Sequence, residues 1–349
     1  MNNPVEIDGS FGEGGGQILR TSLTMSLITG KPFHITKIRA GREKPGLSHQ
    51  HLEAIQAAAR ISNSPVDGAS LRSMELSFHP GKTEPGDYLF EVATAGAMPL
   101  VFQTVVLPLT FTGKPCKLEF KGGTHVPWSP PYEYLKEVWG SVVHDLGFDV
   151  AFELHQAGYY PQGGGHFTAT VKPLNSFSPL NLQERPKLQK LRLIAVLSSL
   201  PDTVAQREFR VVEQCLAKLG LAEYLTTEIR SYQSRGPGNL LSLTAQMQGF
   251  AAGFSSMGAR GKSAEAVAQE LCDDFTSFWG QKYPVDQHLA DQLLLPLTFA
   301  HGTSAYCVEK VTQHLLTNAA IIKLFEPVSI EIIGKEGEPG VVKVTDTRF

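Results

Sequence analysis

The sequence predicts a mixed α/β fold, of the α+β kind, on three observations. Period-2 apolar runs alternate with helical apolar stripes along the chain, the pattern of sheets covered by helices. The order strand, helix and paired strands recurs, and a glycine triplet recurs with it at 14–16 and 163–165, so the chain reads as an internally duplicated set of sheet-plus-helix units. A Pro/Asn/Ser/Gln stretch over residues 173–188 reads as a linker, and the strands and helices after it suffice for a second, smaller α/β domain.

Composition narrows the function. At 349 residues the chain has ample length for a substantial core. No apolar run approaches the ~20 residues of a transmembrane helix, and the N-terminus lacks the layout of a signal peptide, so no membrane partner and a cytoplasmic location are expected. Cys116, Cys215, Cys272 and Cys307 lie far apart with no C-x-x-C pair, which signals neither a disulfide framework nor a zinc site and makes them small buried hydrophobes. A net charge of −3 argues against a broad basic face that coats duplex nucleic acid and leaves room for a local pocket that takes one strand end.

The elements follow in order. Ile7-Asp8-Gly9-Ser10-Phe11-Gly12-Glu13-Gly14-Gly15-Gly16-Gln17-Ile18-Leu19-Arg20 places five glycines ahead of Leu19, Leu23 and Leu27, one helix face, so the glycines form the turn at that helix's N-terminus. Such a turn favours anions, because glycine lets free N–H groups approach a phosphate and the helix dipole adds positive charge. Glu13 breaks that logic unless a cation sits between it and the phosphate, which makes it a candidate ligand for Mg²⁺ or Mn²⁺; Arg20, one helical turn on, is a candidate phosphate clamp. A tight turn with a solvated Glu accounts for the same residues without any ligand. Gly30 and Pro32 end the helix, and Phe33 and Ile35 begin a strand. The loop over 37–46 gathers Arg39, Arg42 and Lys44 beside two glycines, suited to a terminal phosphate, or simply solvated. Residues 49–61 read as a helix with Leu52, Ile55 and Ala59 inward and Gln50 near its start, on the side of the basic loop.

Alternation at 74–78 and at 88–92 predicts a hairpin. Residues 95–107 predict a very apolar helix whose Gln103 is either bonded within the core or open to a pocket. After a strand at 117–120, the stretch from Gly122 to Pro131 is too proline-rich for regular structure and too aromatic for a plain linker, so it is expected to wall a pocket. A helix over 132–146, a strand over 148–154, a glycine turn and a strand over 167–171 follow. The second set has strands at 191–197, 226–232, 240–247 and 250–255, with helices at 205–219 and 264–279. Met257-Gly258-Ala259-Arg260-Gly261-Lys262-Ser263 imitates a P-loop, but the signature needs glycine where Ser256 stands; Ser263 is then a helix N-cap, and Lys262 stays open to a ligand contact. Helices over 286–299 and 311–325 and strands over 328–333 and 341–344 finish the chain. His288, Asp291 and Gln292 share one helix face; His314 and Asn318 share another, on a helix that Leu315 and Leu316 bury, where a histidine is ordinarily a core residue.

Glu13-Gly14-Gly15-Gly16-Gln17-Ile18-Leu19-Arg20, Ile38-Arg39-Ala40-Gly41-Arg42, Pro45-Gly46-Leu47, Gly122-Gly123-Thr124, His288-Leu289-Ala290-Asp291-Gln292 and His314-Leu315-Leu316-Thr317-Asn318, in this order, resemble the RNA 3′-terminal phosphate cyclase family across the whole chain. The resemblance implies a large domain of three βαβαβ-type units, like the C-terminal domain of bacterial initiation factor three, interrupted by the small α/β domain. With the linker this gives residues 1–184 and 281–349 for the large domain and 185–280 for the insert. It implies that His314 takes AMP from ATP, that AMP passes to an RNA 3′-phosphate, and that the vicinal 2′-hydroxyl closes a 2′,3′-cyclic phosphate. By the same resemblance Glu13 holds the metal, Arg20, Arg39, Arg42 and Gln50 face the RNA phosphate, and Gln103, Pro130, Phe254, His288, Asp291 and Gln292 surround the nucleotide. Two departures stand out: His288 where relatives carry Tyr, and Ser48-His49 where relatives often carry a basic residue. The rival classes are an inactive relative acting in ribosome assembly, which the presence of His314 and the intact glycine turn opposes, and an enolpyruvyl-transferase-like enzyme.

Overall fold

The computed structural model describes residues 3–346. Its first unit runs β1 (Val5–Asp8), α1 (Gly16–Thr29), β2 (Phe33–Thr36), α2 (His49–Ser62), β3 (Val66–Asp67) and β4 (Leu76–Phe78), in sheet order β1-β2-β4-β3. β1 and β2 are parallel and the other pairs antiparallel, as expected when a helix supplies the crossover and short connections supply the rest. The second unit repeats the design with β5 (Asp87–Glu91), α3 (Met98–Thr110), β6 (Cys116–Gly122), α4 (Tyr132–Tyr134), α5 (Gly140–Asp145), β7 (Val150–Gln156) and β8 (Gly165–Val171), in order β5-β6-β8-β7. A π-helical turn, Leu135–Trp139, joins α4 to α5.

The third unit opens with β9 (Asn181–Leu182), and the chain then builds a fourth sheet before completing it. That sheet has β10 (Leu188–Ser198), α6 (Thr203–Lys218), β11 (Leu225–Ser231), β12 (Gly238–Met247), β13 (Phe250–Met257) and α7 (Ala264–Gly280), in order β11-β10-β12-β13. The third unit resumes with α8 (Gln287–Gln292), α9 (Leu294–Thr298), β14 (Thr303–Val308), α10 (Gln313–Phe325), β15 (Val328–Ile333) and β16 (Gly340–Asp346), giving β9-β14-β16-β15 with the same parallel and antiparallel pairs as the first two units. Arg185 staples entry to exit. Its guanidinium donates to the carbonyls of Phe278 (2.7 Å), Trp279 (3.0 Å) and Tyr283 and lies 4.5 Å over the Phe278 ring. Glu137, on the π turn, pairs with Arg192 (2.9 Å) and Arg230 (3.3 Å) of the fourth sheet, and Gly253 leaves room for Tyr134 and Val138 against β13.

The mixed α/β class stands, with several expectations corrected. The runs at 74–78 and 88–92 are no hairpin: β4 pairs with β2 and β3, while β5 pairs in parallel with β6 in the next sheet. The connection between them spends its backbone groups on the end of α2, Gly81 N donating to Ser64 Oγ (2.9 Å) and Glu84 N to the Ile61 carbonyl (2.8 Å). The helix expected over 286–299 breaks at Leu293, because Pro296 has no N–H for the Gln292 carbonyl. The helix expected over 95–107 starts later, at Met98 with a proline in its first turn. β1, β3, β9 and β14 were absent from the expected elements. Of the four free cysteines, Cys116 and Cys272 are buried and Cys215 and Cys307 half-buried. Among the described residues no helix is long and apolar enough to cross a membrane.

One helix organises the site. α1 packs against α2, α3 and α10, so whatever its N-terminal turn presents is shared by the first and third units.

Candidate active site

A cavity of about 670 Å³ opens where the first three units and the fourth sheet meet, large enough for a nucleotide-sized ligand. Gln17 and Arg20 line it from α1, Gln103 from α3, Phe254 from β13, Asp291 from α8 and His314 from α10; Pro130 comes from the loop expected to wall a pocket.

Backbone geometry brings the glycine turn onto the histidine's helix. Gly12 and Gly14 adopt φ near +58°, and a side chain at Gly12 would collide with Thr317 of α10. α1 begins at Gly15 without a side-chain cap, whereas α10 is capped by Thr312 Oγ1 accepting from Leu315 N (3.1 Å), which fixes His314 in the first turn. His314 Nδ1 meets Gln17 Oε1. Gln17 is held in that orientation because its Nε2 donates to Asp291 Oδ2 (2.9 Å). Asn318 Nδ2 donates to the Asp291 backbone carbonyl (3.3 Å) and accepts at Oδ1 from Thr21 Oγ1 (2.6 Å). An amide oxygen at Nδ1 requires the ring proton there, which leaves the lone pair on Nε2.

That nitrogen faces Glu13. Oε2 lies 2.7 Å away, yet it is buried without an aligned hydrogen-bond donor. The His314 pKa is lowered, burial outweighing the opposing pull of Glu13, so the neutral ring is favoured. A lone pair and a carboxylate oxygen repel at this separation, which is too short for a metal ion on the line between them. Glu13 Oε1 already pairs with Arg42 Nη2 at 2.5 Å. Desolvation brings Arg20 down to about 10 against the attraction of Asp291 and Glu13, and pushes Asp291 up to about 7.

The basic loop divides. Arg42 reaches the site through Glu13, whereas Arg39, at φ +52°, donates to the Gly46 carbonyl (2.9 Å) and does not line the cavity. Nor does Gln50, half-buried on the first turn of α2. Its neighbour His51 is also outside the cavity lining: the ring is buried, accepts from Ser48 N (3.1 Å) as part of a capping box, and packs on Gly16 beside Arg20. Burial, with Arg20 and Arg39 close, pushes His51 down to about 3.

On the far wall Gln103 Nε2 donates to Gln292 Oε1 (2.7 Å), and Gln292 Nε2 to the His288 carbonyl (2.9 Å). Gln103 is thus both bonded and open to the pocket. Asp286, the α8 N-cap, accepts from His288 N (3.0 Å), Leu289 N (2.9 Å) and Tyr134 OH (2.9 Å), joining α8 to the π-turn helix. Phe254 and Pro130 are in the cavity wall.

The sequence profile of the family described as RNA 3′-terminal phosphate cyclase matches residues 11–332. The chain belongs to that family. Among its relatives, the RNA 3′-terminal phosphate cyclase of Koribacter versatilis is 42% identical over 334 residues, covering 96% of this chain and 93% of the relative. The Nostoc punctiforme protein of that name is 41% identical over 337 residues (94% and 96%), and that of Methanopyrus kandleri 39% over 347 residues (97% and 98%). A solved structure, the enolpyruvyl transferase NikO from Streptomyces tendae, aligns at TM-score 0.25 and 13% identity over 63% of this chain and 38% of that one, a likeness that carries no argument.

Two polar residues in and behind this site, Gln17 and His51, were given no role by the sequence. Gln17 lies three residues before Arg20 on the same helix face, a spacing that could have found it. Ser48-x-x-His51 is the spacing of a capping box. Asn318, expected on the face of His314, lines the cavity there.

Proposed function

We propose that this chain converts an RNA 3′-terminal phosphate to a 2′,3′-cyclic phosphate at the expense of ATP, through AMP carried on His314. The observation that carries the reading is the half-exposed His314 imidazole at the cavity edge, oriented by Gln17 and Asp291 with its proton on Nδ1 and Nε2 beside Glu13. In the first step that lone pair attacks the α-phosphorus of ATP, an N–P bond forms, the bond to the bridging oxygen breaks and pyrophosphate leaves. An oxygen of the RNA 3′-phosphate then attacks the same phosphorus and the imidazole leaves with its electron pair. Finally the vicinal 2′-oxygen attacks the 3′-phosphorus, releasing AMP and giving its proton to water.

Each step displaces at phosphorus, so charge neutralisation and alignment matter more than proton transfer. Arg20 and Arg42 supply fixed positive charge beside His314; Gln103, Gln292 and His288 form the wall suited to the nucleotide. Arg39 and Gln50 stand further out, where the strand arrives. The buried, donor-less oxygen of Glu13 fits Mg²⁺ or Mn²⁺, which takes most of its ligands from phosphates and water and needs few from protein. The metal would neutralise charge on the phosphates.

Incubation with ATP labelled at the α-phosphate tests the reading. A base-stable, acid-labile adduct on His314 is the expected result; an adduct elsewhere, or ATP binding without one, refutes it.

A further inference from the structure

We infer that Trp128 is a stacking platform for a base of the RNA strand that brings its 3′-phosphate to the cavity, an inference that rests on the cyclase reading above. Trp128 is 96% exposed, while Trp139 is 5% exposed and Trp279 is half-buried. An indole left in water forgoes the burial that normally makes Trp worth having, and at the mouth of a cavity its faces are free to stack on what enters.

The ring is held out by a firm loop. Thr124 N and His125 N both donate to the Gly158 carbonyl (2.9 and 3.0 Å), Gly158 N donates to Thr124 Oγ1 (2.9 Å), and Tyr132 N closes the base by donating to the Thr124 carbonyl (3.1 Å). Beneath it His125 Nε2 meets Glu133 Oε2 at 2.6 Å, both side chains fully buried. Pro127, Pro130 and Pro131 restrict the segment between. Trp128 itself sits at φ +59°, a region bulky residues seldom occupy, so local strain accompanies the presentation of the ring.

Position identifies the occupant. Trp128 borders the same cavity as Arg20, His288 and His314. The inner wall already supplies aromatic surface, from Tyr134, Trp139 and Phe254, for a base enclosed with the nucleotide. A ring almost wholly outside lies where the strand behind the 3′-phosphate would extend from the cavity that Arg20 lines. An exposed aromatic at the mouth of a cation-lined cavity is an arrangement that holds single strands without reading their sequence.

The test uses the full chain, its Trp128→Ala and Trp128→Phe variants, and a 3′-phosphorylated oligoribonucleotide. Adding the strand without ATP should quench tryptophan fluorescence in the wild type and not in Trp128→Ala. Strand affinity should fall roughly 5- to 150-fold in Trp128→Ala and recover in Trp128→Phe, with the loss in KM rather than kcat. A strand lacking the stacked base should bind the wild type as weakly as Trp128→Ala binds the intact strand. Unchanged strand affinity in Trp128→Ala overturns the platform while leaving the cyclase reading intact. Quenching by ATP alone, or by raising protein concentration alone, that is lost in Trp128→Ala overturns it by placing adenine or a second copy on the ring. Failure of the wild type to bind the strand at all sinks both.

Discussion

Two glycine-rich turns open helices in this chain, and they end in opposite states. The turn before α1 has no side-chain cap and carries Glu13 with one oxygen lacking a donor and the other paired to Arg42, against His314 of another unit. The turn before α7 has the composition of a phosphate loop, yet its Lys and Ser are satisfied locally. Ser263 Oγ accepts from Ala266 N (3.1 Å), and Lys262 Nζ donates to Glu270, to Ser256 Oγ (3.1 Å) and to the Met257 carbonyl (3.1 Å). A glycine turn becomes a site when tertiary packing leaves its groups facing one another across units, and a plain helix start when its own helix satisfies them.

The sharpest break of that comparison is His314→Ala. It should abolish the labelled enzyme adduct, read by intact-protein mass spectrometry, and an adduct that persists would return the first turn to a merely structural role. Next is Glu13→Ala, expected to slow adduct formation on the order of 100-fold and to alter its metal titration. Lys262→Ala in the other turn should leave adduct formation within about twofold, since that amine is already held by Ser256, Met257 and Glu270. Equal losses in the two would erase the distinction.

A smaller effect separates the turns by pH. His51, packed on Gly16, is held neutral with its pKa down at about 3, below the ordinary 6.5. The unfolded chain therefore binds a proton that the folded chain refuses. Its stabilising contribution is complete above pH 6.5 and is lost as pH falls toward 3, by up to about 1.4 kcal/mol per pH unit. Denaturant melts across pH 7 to 5 should show that slope, and His51→Gln should flatten it. The smallest change belongs to the second turn. Ser263→Ala removes the α7 cap and should cost about 1 kcal/mol in the same melts, with adduct formation unaffected.

Much of this was legible in residue order. Periodicity at Leu19, Leu23 and Leu27 placed α1, the glycines ahead of it placed the turn, and the missing glycine at Ser256 disqualified the imitation P-loop; each signal is local, carried by residues within one or two helical turns. The mixed α/β class follows in the same way from backbone preferences of glycine, proline and alternating apolar residues, as does the pocket wall, of which residues 127–131 line the cavity. Strand partners did not follow, because pairing joins residues far apart in sequence. The runs at 74–78 and 88–92 alternate as a hairpin would, and only the sheets assign them to different units. Nor could a residue's neighbours across units be read. Gln17, 297 residues from His314, holds its tautomer; His51 packs on Gly16 behind the turn; and Trp128 lies in the open while Trp139, eleven positions on, is in the core. Sequence decides what a segment prefers to be, since those preferences are short-range, whereas the site consists of charges and lone pairs that only the packing of α1 against α10 brings face to face.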